Sequence, residues 1–229
     1  MKLYARTFAF LALGALSACT ATVSQAPSDG GSTESDASTG DANANANALN
    51  PYGVAYPTKN LGWKVRAGAT AGEVAPNIRL VGYAPGAANT APISLADVYD
   101  PQGKTHDLVA ILLCASWNDP SNQLMAKIGE LAPARVAMLA VLGEATAAGT
   151  PATLTNLTSW RSKVPATVHN LLDPSWASFT GIRVTTVPHV VLLDARTMEI
   201  VSSESGAPAD PKGAFESAAA AVKARPPAF

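Results

Sequence analysis

Sulfur is scarce in this chain, with only two cysteines, Cys19 and Cys114, in 229 residues. A disulfide framework is excluded, and even one internal bridge would consume both thiols. Histidine is equally sparse, as His106, His169 and His189 are the three, and no His/Cys cluster has metal-ligand spacing. Charged residues make up 14% where about a quarter is usual, and the formal net charge is −1. No broad field therefore points to nucleic acid or an anionic surface. Long apolar runs are missing too: Phe8–Leu16 has nine residues, whereas a spanning helix needs about 20.

What is present starts with an export signal over residues 1–18. Lys2 and Arg6 form its positive start and Phe8–Leu16 its apolar centre. Leu16-Ser17-Ala18-Cys19 closes it and resembles the bacterial lipobox, which implies that Cys19 is lipidated and becomes the mature N-terminus. Each buried acyl CH₂ contributes about 0.8 kcal/mol, so several chains together hold a protein on a membrane. The implied partner is thus the membrane, and the implied location is the bacterial cell envelope, facing the periplasm or on the outer membrane. Removing Lys2 and Arg6 takes the 16 basic residues to 14 against 17 acidic ones, a net −3. The mature chain then has one thiol, Cys114, and no means of closing an internal disulfide.

Residues 19–50 carry the lipid and then a tether of Ala, Ser, Thr, Gly, Asp and Asn, with no aromatic residue and no Lys or Arg. Too little apolar surface is available there to offset chain entropy, so disorder is expected. Its 31 residues after Cys19 would span about 30 Å as a flexible coil. Residues 51–71, with Tyr52, Tyr56, Leu61 and Trp63 among glycines and prolines, read as an extended arm packing on the domain that follows.

From Gly72 onward, strand and helix patterns alternate. Ile78–Tyr83 reads as a strand, 84–92 as a loop and 94–98 as a short turn or helix. Val109–Ala115 is a nearly continuous apolar run, the mark of a strand covered on both faces. The helix after Pro120 places Leu124, Ile128 and Leu131 on one face. Val136–Leu142 is a second buried strand, and 154–164 a helix with Leu154, Leu157 and Trp160 inside. A short strand at 167–172, a short helix at 175–180, a hairpin of 190–194 with 199–203 and an alanine-rich helix at 212–224 complete the pattern. The class is α/β, with a central mixed β-sheet flanked by helices over 72–229.

Four separated features resemble one family. Gly72-Glu73-Val74-Ala75-Pro76-Asn77-Ile78-Arg79-Leu80 is similar to the G-x-x-A-P-x-x-x-L opening of redoxin and thiol-specific-antioxidant domains. Ile93-Ser94-Leu95-Ala96-Asp97, then Gly103-Lys104, resembles their next element. The strand before Trp117-Asn118-Asp119-Pro120-Ser121 leads into a proline-containing helix start, and Thr186-Val187-Pro188-His189 resembles the segment whose proline is cis. The resemblance, to a thioredoxin-like domain of the redoxin group, covers roughly 72–224.

That family implies a thiolate at a helix N-terminus, where N–H groups and the helix dipole stabilise its charge, and a resolving thiol three residues on. Those positions are held here by Asn118 and Ser121, so dithiol exchange has no sulfur to start from. No catalytic residue, cofactor or metal is expected. The same residues also serve simply as helix punctuation, with Asp119 as cap and Pro120 in the first helical position. What the resemblance leaves is a redox-inactive domain that acts as a scaffold or in binding, the latter through a peptide-binding surface of Trp117, Val187 and Pro188 for an extended peptide or envelope protein. The alternative is a thiol-disulfide oxidoreductase or peroxiredoxin-like antioxidant protein using Cys114, which lies inside the apolar strand. His189 is expected near the 117–121 loop, where a metal shared with Asp119 is conceivable, although two ligands are poor evidence. A serine hydrolase built on Ser121 and His189 lacks the glycine pattern of a nucleophile elbow. His106 and His169 read as surface or strand-edge residues, and Trp117, Trp160 and Trp176 as packing at element ends.

Overall fold

The computed structural model of the protein describes residues 48–57, 71–131, 135–182 and 184–225. The export signal, Cys19 and nearly all of the tether lie outside the described residues, as do Leu61 and Trp63 of the arm.

Seven strands form one sheet: β1 (Arg79–Tyr83), β2 (Ala91–Ser94), β3 (Leu108–Ala115), β4 (Val136–Glu144), β5 (His169–Leu172), β6 (His189–Asp194) and β7 (Ile200–Ser205). Their order is β2-β1-β5-β4-β3-β6-β7. β3 pairs in parallel with β4, and β4 with β5, while the remaining pairs are antiparallel. Among the described residues three α-helices accompany the sheet: α1 (Asp119–Leu131), α2 (Leu154–Trp160) and α3 (Pro211–Lys223).

All eight residues of β3 are buried, as its unbroken apolar run requires of a central strand. Its side chains alternate between two cores. Val109, Ile111 and Leu113 face one core with Tyr56, Leu95, Tyr99 and Phe179. Leu108, Ala110, Leu112 and Cys114 face the other, against Leu124, Met125 and Ile128 of α1, Leu157 and Trp160 of α2, and Phe215 and Val222 of α3. Phe215 and Val222 lie seven residues apart, two turns along one helix face, and both are fully buried. α3 starts where Asp210 accepts the Gly213 N–H at 3.0 Å and Pro211 fills a position needing no N–H bond.

The unit β3–α1–β4, the β6–β7 hairpin and α3, in the order β4-β3-β6-β7, is the core of a thioredoxin-like fold. The Val187–Pro188 bond that leads into β6 is cis. β1, β2, β5 and α2 extend this core on the β4 side. In the described part of the arm Tyr56 is buried, donates its hydroxyl hydrogen to Ala75 O at 2.8 Å and meets Tyr99 edge-on.

Two local expectations are corrected. Residues 91–94, read as the end of a loop and the start of a turn, form β2, which pairs with β1. Pro92 concealed the strand, yet β2 is an edge strand and a missing N–H is tolerated there. Leu154, placed inside, is 45% exposed. At about 100° per residue, Leu154 stands about 120° from Trp160 with Leu157 between them, so the apolar stripe turns away from it.

Candidate functional site

The site lies where β3 and β4 end, where α1 begins, and where residues 184–187 approach the cis proline. A cleft of about 320 Å³ opens there, with Trp117, Asn118, Glu144, Trp176 and Val187 in its wall. Of the surface named from the sequence, Trp117 and Val187 line this cleft together with Asn118, whereas Pro188 does not.

Asn118 and Ser121 serve the helix. The chain turns after β3 with Asn118 N–H donating to Ala115 O at 3.2 Å. Asn118 Oδ1 then accepts from both the backbone N–H and the hydroxyl of Ser121, each at 2.9 Å. Asn118 is therefore the N-cap, one residue earlier than the Asp119 reading, and α1 starts at Asp119 with Pro120 in its second position. Both residue types cap well, and the end of β3 decides between them. Losing such a cap costs about 1 kcal/mol. The N–H group that would stabilise a thiolate at this helix end is taken up by a neutral amide oxygen.

Ser121 is fully buried, and its Oγ also accepts from Ala115 N–H at 3.4 Å. Cys114, the free thiol, is fully buried on the α1 face of β3. Burial pushes it up to about 12, and the hydrogen bond with the Ser121 hydroxyl brings it only partly back. Sulfur in that state is a small core side chain, not a nucleophile.

Two cleft residues escaped the sequence. β4 runs two residues beyond the expected Leu142, carrying Glu144 to the rim. There the Glu144 carboxylate accepts from Trp117 Nε1 at 2.9 Å and from Gly149 N–H at 2.8 Å. Trp176 was read as packing, and it does pack, but across the cleft wall. A Cβ on Gly143 would fall 2.2 Å from Trp176 Cε2, so the indole rests on bare strand backbone. Reaching that position puts Ser175 and Trp176 in the left-handed region, φ 55° and 53°, at roughly 1–2 kcal/mol each. Glycine inside a strand is a signal for such an approach, and Gly143 offered it.

His189 does not join the site. It is buried on β6, with Nδ1 and Nε2 hydrogen-bonded to Ser205 Oγ at 3.1 Å and Ser203 Oγ at 2.9 Å. Both ring nitrogens are occupied, so neither is left for a metal with Asp119 or for Ser121. His169 stands at the start of β5, in line with a strand-edge position, and both it and His106 are half-buried; burial lowers both, and each has an Nδ1 without a partner among the described residues.

No family model matches the chain, and no curated protein is significantly similar to it in sequence. Solved structures do resemble it. A Chlorobium tepidum protein assigned as thiol:disulfide interchange protein DsbE is 21% identical, with 68% of this chain and 99% of that one covered at a TM-score of 0.47. The thioredoxin domain of a Bacteroides vulgatus thiol-disulfide oxidoreductase is 14% identical, over 66% and 98%, at 0.48. The pneumococcal exposed lipoprotein thioredoxin Etrx1 of Streptococcus pneumoniae is 17% identical, over 62% and 97%, at 0.45. At these identities and scores nothing follows for the chemistry of this chain, and its thioredoxin-like fold rests on strand order and register.

Proposed function

We propose that this protein is a lipid-anchored envelope protein whose thioredoxin-like domain binds an extended polypeptide segment and carries out no thiol exchange. The cleft carries this reading: Trp117, Asn118 and Val187 share one wall, and the only thiol of the domain is sealed in the core. Beside the cleft, Thr185, Thr186 and Val187 make no backbone hydrogen bond among the described residues, and the two threonines are exposed. Such a stretch can take an added strand through its main-chain groups, a mode of recognition that needs no sulfur. Nothing at Cys114 favours the competing oxidoreductase or peroxiredoxin-like reading.

Binding is tested by amide hydrogen exchange on the full chain, with a panel of disordered nonapeptides that varies the central residue. Peptide at ten times its dissociation constant should slow exchange at 185–187 by about tenfold. Unchanged exchange with every peptide would remove the reading.

Anchoring rests on Leu16-Ser17-Ala18-Cys19 and the signal before it. Replacing Cys19 by Ala should move the protein from the membrane fraction to the soluble one and abolish incorporation of a palmitate analogue. Retention of both in the variant would refute the lipid assignment.

A further inference from the structure

The cleft holds more than a main-chain partner requires. Two indoles, Trp117 and Trp176, share its wall with one carboxylate, Glu144, and among the described residues its lining contains no Lys, Arg or His. Both Glu144 oxygens accept from neutral donors, the Trp117 indole N–H and the Gly149 amide. Among the described residues Glu144 forms no ion pair. Its negative charge is therefore held in place without being neutralised. Trp117 is 38% exposed even though its indole is fixed through Nε1, and Trp176 reaches the same wall only through two left-handed residues.

Indole rings attract cations through their negative faces, and an adjacent carboxylate adds direct charge attraction. A long basic side chain suits both, because its methylene stem covers aromatic surface while its charged end reaches the acid. Thr185, Thr186 and Val187 line the same cleft, and their main-chain groups, without backbone partners among the described residues, suit a peptide better than a lipid headgroup. We infer that the cleft selects a Lys or Arg side chain carried on the extended segment. This inference rests on the peptide-binding reading above and adds the residue class that is recognised.

The test uses the full chain and dye-labelled nonapeptides identical except for a central Lys, Arg, norleucine or Glu, read by fluorescence anisotropy at low ionic strength. Lys and Arg peptides should bind about tenfold more tightly than norleucine, with Glu the weakest. In Glu144→Gln the preference for Lys over norleucine should shrink to about twofold. Trp117→Leu should weaken binding of the Lys peptide more than binding of the norleucine peptide. Thermal melts of both variants establish that they fold. Should Glu144→Gln fail to fold, competition in the unmodified protein carries the test: n-butylammonium should displace the Lys peptide and n-pentanol should not. Equal affinity for Lys and norleucine would overturn the cation preference and leave peptide binding standing. No binding by any peptide would remove both. Binding to phosphatidylcholine vesicles in place of the peptides would overturn the peptide as occupant.

Discussion

In the native protein Cys114 should react with a soluble thiol reagent at least about a thousandfold more slowly than in the denatured chain. The reactive species is the thiolate, and a thiol at the ordinary value of 9.0 is about one-tenth ionised near pH 8. Burial pushes Cys114 from 9.0 up to about 12, which lowers the thiolate fraction by about three powers of ten. Access adds a second barrier, because Cys114 has no exposed surface and lies between β3 and α1. The Ser121 hydroxyl eases the first barrier only in part and does nothing for the second. A Cys19→Ala background leaves Cys114 as the sole signal, and stopped-flow labelling with and without denaturant gives the ratio. Rapid native labelling with a midpoint near neutral pH would instead restore a thiol-exchange role and undo the proposed function.

Much of this molecule could be read from its sequence where one residue type dominates a local pattern. β3 follows from eight consecutive apolar residues, and α1 from Leu124 and Ile128 one turn apart behind a proline. Trp117, Asn118 and Val187 line one cleft, a meeting of distant loop ends that no local pattern along the chain could give. Other features depended on information that lies elsewhere in the chain. Asn118 and Asp119 are both good caps, and only the end of β3 at Ala115 selects the first. Pro92 argues against a strand until β2 is known to be an edge. Trp176 was the hardest to place, because Ser175 and Trp176 carry no local signal for left-handed backbone, a conformation that normally favours glycine. The space that receives the indole is created across the chain by the missing side chain of Gly143.

Replacing Asp173 by Asn should make the protein progressively more stable relative to the parent as pH rises from 4 to 7.5, by about 3 kcal/mol over that interval. Asp173 precedes the turn that carries Trp176, whose N–H donates to Asp173 O at 2.8 Å. Its carboxylate accepts from the Ser178 backbone N–H at 3.0 Å and from the Ser178 hydroxyl at 3.1 Å. The residue is only 2% exposed, and burial raises it from 3.8 to about 6 in spite of those bonds. Below about pH 3.8 both folded and unfolded chains are protonated there and the group imposes no penalty. Between 3.8 and 6 the unfolded chain releases its proton while the native one keeps it, so stability is lost as pH rises and stays lost above 6. Asn cannot titrate, and its amide oxygen remains available to the Ser178 N–H. Burial lowers His106, His169 and His189, which works in the opposite sense as pH falls, but these groups are common to both proteins and cancel in the difference. Asp100 is raised by burial but brought below its ordinary value overall by the Thr105 and His106 N–H groups. Asp107 is lowered first by its bond to Arg135, and both carboxylates act only below pH 3.8. Urea unfolding of the two proteins across this range gives the difference directly. Parallel pH profiles would show that the Asp173 carboxyl is ionised at its ordinary value, and that the turn beneath the cleft imposes no electrostatic cost at neutral pH.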